Sequence, residues 1–118
     1  MKKILIVEDD FVLAMINQKH LELMGHQVVD SVTSGEAAIE ATKKHEPEVI
    51  LMDMRLEGEM SGIEAMIEIS KFSKAYVIYL TGNSESEFKD LTQKTNMLAF
   101  CVKPVHFEEL KSILNSVI

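Results

Sequence analysis

Apolar and polar positions follow two regimes along this chain. Short runs rich in β-branched residues at Lys3–Val7, Gln27–Val32, Val49–Met52, Tyr76–Leu80 and Ala99–Val102 read as strands. The third, "VILM", is unbroken, the pattern of a strand buried on both faces. Between the runs the period lengthens. "DDFVLAMINQKHLELMGH" sets Ala14, Leu21 and Met24 on one helical face and meets Gly25, a favourable C-terminal stop. "TSGEAAIEATKKHEP" opens with Thr33 and Glu36 at capping-box spacing and closes before Pro47. "SGIEAMIEISKF" offers Ile63, Met66 and Ile67 to a core. "SESEFKDLTQKTN" offers only Phe88 and Leu91, so the fourth helix is weakly anchored. The last, "HFEELKSILNSVI", puts Phe107, Leu110, Leu114 and Val117 at helical spacing.

Five strands alternating with five helices predict a parallel sheet covered on both faces, because parallel strands need crossover connections. Right-handed crossovers restrict the topology further. The expectation is one doubly wound α/β domain over residues 1–118, without repeats, linkers or low-complexity segments.

Charge narrows the partners. The 118 residues carry a net charge of −7, which argues against unaided binding to nucleic acid or an anionic membrane. The single cysteine, Cys101, allows no internal disulfide and no cysteine-based zinc site, and reads as a small core residue. The apolar run in "MKKILIVEDD" is too short for a signal peptide, so a cytoplasmic location is expected.

In an open parallel sheet, ligands bind beyond the carboxyl ends of the strands. Glu8, Asp9 and Asp10 follow the first strand, Asp53 the third, Thr81 (with Gly82 and Asn83) the fourth, and Lys103–Pro104 the fifth. Each has an ordinary structural explanation: Asp10 caps a helix, Asp53 serves a turn, Lys103 lies on the surface. Together they suggest more. If the first and third strands are neighbours, Asp9, Asp10 and Asp53 converge, and such a cluster must bind a proton or a cation. Oxygen donors without His or Cys favour Mg²⁺. A lysine and a hydroxyl beside it supply the charge neutralisation and alignment that phosphoryl transfer needs, and an aspartate can act as nucleophile.

With these residues placed, the chain closely resembles the receiver domain of two-component response regulators, the CheY-like family. The resemblance runs from "ILIVEDD" through "VILMDMRL", "IYLTGN" and "FCVKP" to the last helix. The spacing is specific: 44 residues from Asp9 to Asp53, 28 more to Thr81 and 22 more to Lys103. The resemblance implies a flavodoxin-like sheet in the order 2-1-3-4-5, with Asp53 as phosphoacceptor. It implies Mg²⁺, or Mn²⁺ in its place, held by Asp9, Asp10, Asp53 and the backbone carbonyl of Arg55. Thr81 would bond a phosphoryl oxygen, Lys103 would pair with the phosphoryl group, and the Lys103–Pro104 bond would be cis. Phe100 stands where the family has an aromatic switch residue, one that turns inward as Thr81 moves.

The implied role is a signalling switch rather than a metabolic enzyme, catalysing only its own phosphorylation and slow dephosphorylation. A sensor histidine kinase or a phosphotransfer protein would supply the phosphoryl group. An effector protein or output domain, or a phosphorylation-dependent homodimer, would read the surface of the fourth helix, fifth strand and fifth helix. The sequence also departs from the pattern. "RLEGEMSGIE" is one residue longer than the common family loop and lacks its proline after Leu56; Asn96–Met97 replaces a frequent Gly-Ala. Arg55 and Asn83 occupy positions that tune phosphoryl lifetime in the family. The competing reading is a phosphate-independent interaction module of the same fold, which usually lacks one of the acids or the lysine. An Asp-x-Asp phosphohydrolase and a flavodoxin both fail on "VEDDFV", which has neither the required spacing nor a Ser/Thr/Gly-rich phosphate loop.

Overall fold

The computed structural model describes residues 1–56, 58–82 and 94–117. Its elements are β1 (Lys3–Val7), α1 (Phe11–Leu23), β2 (Gln27–Val32), α2 (Gly35–His45), β3 (Val49–Asp53), α3 (Gly62–Ile69), β4 (Tyr76–Thr81), β5 (Met97–Val102) and α4 (Phe107–Asn115). All strand pairs are parallel, in the order β2-β1-β3-β4-β5. Most of the expected fourth helix, with Phe88 and Leu91, lies outside the described residues. No helix among the described residues is long and apolar enough to cross a membrane.

Strand alternation divides the core. Leu5, Val7, Ile50, Met52, Val77 and Tyr79 face α2 and α3, where Ala38, Ala41, Ile63, Met66 and Ile69 pack on them. Ile4, Ile6, Val49, Leu51, Ile78 and Leu80 face the other way, against Ala14 and Leu21 of α1 and Leu110 and Leu114 of α4. A helix on each face is what lets β1 and β3 bury both sides.

Caps account for several helix ends. Gly25, at φ +90, ends α1, and the His26 N–H reaches the Leu21 carbonyl at 3.0 Å, the long bond of a Schellman closure. At α2 the expected cap moves by one residue. Ser34, not Thr33, is extended and accepts from the Ala37 N–H at 3.1 Å. Ser61 and Glu64 form a reciprocal capping box at the start of α3. β5 begins at Met97, two residues before the Ala99 start expected from the sequence.

Register then sets the site. Val7 pairs with Met52, Met52 with Tyr79 and Tyr79 with Phe100, forming one rung across four strands. Beyond that rung, at the carboxyl ends of the strands, lie Glu8, Asp53, Thr81 and Lys103.

Candidate functional site

Asp53 is the last residue of β3 and is 2% exposed. Alternation places it with Val49 and Leu51 on the α1/α4 side, just as it places Glu8 with Ile4 and Ile6. Two carboxylates from adjacent strands therefore enter the same space. The Lys103 ammonium lies between them, 2.8 Å from Asp53 Oδ2 and 3.2 Å from Glu8 Oε2. It also stands 3.0 Å from Glu8 Oε1, as a charge contact without hydrogen-bond alignment. Asp53 Oδ1 accepts from the Arg55 N–H at 3.1 Å, and Glu8 Oε2 from the Asp10 N–H at 3.1 Å.

The electrostatics follow from burial and proximity. Burial pushes the Glu8 carboxyl up to about 7, and the neighbouring Asp53 carboxyl adds to the rise; the Asp10 N–H and Lys103 work against it. Burial alone would pull Lys103 down. Its hydrogen bonds to Asp53 and Glu8 outweigh that and hold its pKa above the ordinary lysine value.

Glu8, Asp9 and Asp53 each offer a carboxylate oxygen, all within 4.8 Å of one another. Glu8 Oε1 is buried without a hydrogen bond, so the cluster holds excess acceptor capacity beside one ammonium. Hard oxygen donors of this kind fit Mg²⁺. Asp10 does not join them. Its carboxylate caps α1, accepting from the Val12 N–H at 3.0 Å and the Leu13 N–H at 3.1 Å. Of the two acids expected together, the structure groups Asp9 with Glu8 and Asp53, and Asp10 with the start of α1. A usable signal lay in the sequence: an acid directly before a helix is a cap, and the acid next to the buried strand is the one carried inward.

The other expected residues fall around this centre. Thr81 ends β4, half-buried, and its carbonyl accepts from the Lys103 N–H at 2.7 Å. The Lys103–Pro104 peptide is cis. Phe100 is half-buried, its ring 6.3 Å from that of Tyr79. Arg55 is exposed beside the site, and Asn83 lies outside the described residues. Cys101 is buried, its thiol pushed up to about 11 by burial and by Glu109, in keeping with a core role.

With this geometry in hand, the comparisons with known proteins decide the family. Residues 4–115 match the family described as response regulator receiver domain. The chain belongs to that family. It is 29% identical to the chemotaxis protein CheY of Thermotoga maritima over 117 residues, covering 98% of this chain and 97% of CheY. It is 27% identical over 109 residues to the transcriptional regulatory protein PdtaR of Mycobacterium tuberculosis, covering 92% of this chain and 53% of PdtaR. This receiver thus spans about half the length of that relative. Among solved structures, the N-terminal domain of a response regulator/sensory box/GGDEF 3-domain protein from Carboxydothermus hydrogenoformans superposes with a TM-score of 0.86 at 30% identity, covering 98% of this chain and 92% of that one. The signal receiver domain of a modulated diguanylate cyclase from Desulfovibrio desulfuricans G20 shares the fold at a TM-score of 0.90 and 24% identity, covering 100% of this chain and 94% of that one. Receiver domains are signalling modules of two-component systems, and phosphorylation-dependent switching with Mg²⁺ is their general family role.

Beside this receiver's site lies an apolar surface that helical periodicity alone does not predict. Phe11, Val12, Met15 and Ile16 on the first turns of α1 are all exposed, Phe11 by 75%. Phe11 and Met15 line a cleft with Glu8 and Asp9, and Ile16 lines another with Glu8 and Lys103.

Proposed function

We propose that this receiver is a phosphorylation-dependent switch whose phosphoacceptor is Asp53. One observation carries the reading: a buried aspartate at a strand end bears a lysine ammonium 2.8 Å from one carboxylate oxygen, with Glu8 and Asp9 alongside. Glu8, Asp9, Asp53 and the Arg55 carbonyl would hold Mg²⁺, or Mn²⁺ in its place. When bound, the ion neutralises charge on the carboxylates and on the incoming phosphoryl oxygens.

The protein's own residues do the rest. An Asp53 carboxylate oxygen attacks phosphorus as the P–N bond of a phosphohistidine breaks. The bonding pair returns to the imidazole nitrogen, and an acyl phosphate forms on Asp53. Lys103 is already within bonding distance of that carboxylate and pairs with the phosphoryl group, while Thr81 offers a hydroxyl to another of its oxygens. The product adds about −1.5 to −2 charges and three acceptors. Rearrangement of Thr81 and Phe100 then changes the β5–α4 surface read by an effector protein or output domain, or by a second phosphorylated copy. The exposed apolar turns of α1 suit docking of the protein phosphodonor, a sensor histidine kinase or phosphotransfer protein in the cytoplasm.

The test is intact mass after incubation with Mg²⁺ and acetyl phosphate. One added phosphoryl group is expected on the parent, none on Asp53→Asn and none with the metal chelated. No adduct on the parent under rapid quenching, across several donors, would overturn the reading in favour of a phosphate-independent interaction module.

A further inference from the structure

Gly62 is the first residue of α3 and is buried, and its φ is not among the positive values of this chain. Glycine is therefore not required there by backbone conformation. Space requires it. A Cβ at Gly62 would overlap the carbonyl oxygen of Asp53, and would stand 2.9 Å from its carbonyl carbon and 3.0 Å from Met52 Cγ. The helix sits directly on the peptide that follows the Asp53 side chain.

That peptide cannot easily withdraw. On its other side the Met54 N–H is bonded to the Leu80 carbonyl of β4 at 2.9 Å, and the Gly62 N–H itself donates to the Met54 carbonyl at 3.0 Å. The end of β3 is gripped between a neighbouring strand and a helix start, and the capping box of Ser61 and Glu64 holds that helix start in turn. We infer that Gly62 is a positioning residue: the side chain it lacks lets α3 seat against Asp53 and so fixes the Asp53 carboxylate between the Arg55 N–H and the Lys103 ammonium. Ordinary contact for an added Cβ requires a displacement of more than 1 Å, and a misplacement of about 1 Å is enough in a preorganised site to reduce the rate on the order of 10²-fold. Both carboxylate hydrogen bonds, at 3.1 Å and 2.8 Å, would pass out of range with it.

Gly35 supports the same arrangement one layer out. A Cβ there would meet Met60 Cγ at 3.0 Å and Ala65 Cβ at 3.1 Å, pressing the first turn of α3 by a few tenths of an ångström rather than blocking it. It supplies a graded perturbation in the same direction.

The inference rests on Asp53 being the reacting group, so the test reads carboxylate placement separately from phosphorylation. Gly62→Ala, Gly35→Ala and, as a control in the same helix, Ile69→Val are compared with the parent. Three readouts are taken: the ¹H–¹⁵N position of the Arg55 amide, Mg²⁺ affinity by calorimetry, and labelling rate at saturating Mg²⁺ and acetyl phosphate. Expected for folded Gly62→Ala is a moved Arg55 amide, Mg²⁺ affinity at least tenfold weaker and labelling at least tenfold slower. Ile69→Val should match the parent in all three even as its unfolding midpoint falls. An unmoved Arg55 amide with affinity and rate within twofold of the parent would overturn the inference. If Gly62→Ala does not fold, Gly35→Ala decides, with the amide moved and a roughly threefold loss expected and parent-like values overturning it. If the parent itself takes no phosphoryl group, the proposed function fails, and the amide and the Mg²⁺ affinity still judge Gly62.

Discussion

Glu8 offers the sharpest test of the site's electrostatics. Its carboxyl is 2% exposed and held near 7 by burial and then by Asp53, whereas in the unfolded chain it titrates near 4.5. Between those two values the folded protein binds the extra proton, so stability must fall as pH rises. The slope approaches 1.4 kcal/mol per pH unit, and the full loss is on the order of 3 kcal/mol, complete above pH 7. Lys103 does not confuse the window. Its pKa is raised above an already high value, so its stabilising contribution is fully present below about pH 10. His26 works with the opposite sign: burial holds its pKa below 6.5, so its share of stability is lost as pH falls and recovered as pH rises.

Comparing the parent with Glu8→Gln removes the His26 contribution, which both proteins share. Glutamine keeps the shape and can still accept from Lys103 and the Asp10 N–H, but it does not titrate. Urea unfolding with a chelator present, from pH 5 to 8.5, should show near-equal stability at pH 5. At pH 8 the variant should be the more stable by about 2–3 kcal/mol. Adding Mg²⁺ should return stability to the parent above pH 7 and much less to Glu8→Gln, since a carboxylate donor is gone. Parallel pH profiles for the two proteins would refute the argument, because they would mean that Glu8 titrates alike folded and unfolded.

Three further outcomes are expected. Asp10→Ala should cost about 1 kcal/mol in urea unfolding, the usual loss of an N-cap, with Mg²⁺ affinity near the parent's; Asp9→Asn should do the reverse, as calorimetry and unfolding together would read. Tyr79→Phe removes the hydroxyl bonded to Thr95 Oγ1 at 2.8 Å and should cost about 1 kcal/mol, measured by urea unfolding. Replacing exposed Met15 and Ile16 together by serine should leave stability within about 0.5 kcal/mol of the parent. The same pair should slow transfer from a protein phosphodonor at least tenfold while labelling by acetyl phosphate, which needs no docking surface, stays unchanged.

The order of strands and helices was legible because parallel βα units write their two periods plainly, and "VILMD" announced both the buried strand and the acid at its end. Lys103, Thr81 and Asp53 could be placed because each directly ends or follows an apolar run. The division of labour among Glu8, Asp9 and Asp10 was harder, since three consecutive acids look alike in composition. What separates them is geometry. β1 carries Glu8 inward with Ile4 and Ile6, Asp9 turns outward at the strand end, and Asp10 meets the first N–H groups of α1. Similarly, Thr33 and Ser34 are adjacent hydroxyls, and only the extended backbone at Ser34 chose the cap of α2.

α1 shows where hydrophobic periodicity fails for a physical reason. "FVLAMI" is apolar all round, so the first half of the helix has no distinct face for the sheet to select. The fold chose the side of Ala14, Asn17 and Leu21, two small or polar residues and one large one, and left Phe11, Val12, Met15 and Ile16 in solvent. The small side chains let the helix lie close to β1, bringing its Asp10-capped start beside Glu8 and Lys103. The larger ones would gain on the order of 1.5–3 kcal/mol each by full burial, and folding leaves much of that unused. An apolar surface that folding does not consume, set at the rim of a charged site, is the arrangement expected when a partner must cover both at once. Under the proposed function, the acid at the edge of the core and the apolar surface on the outside of α1 would be two halves of one docking problem: a site to receive the phosphoryl group, and surface to hold its donor there.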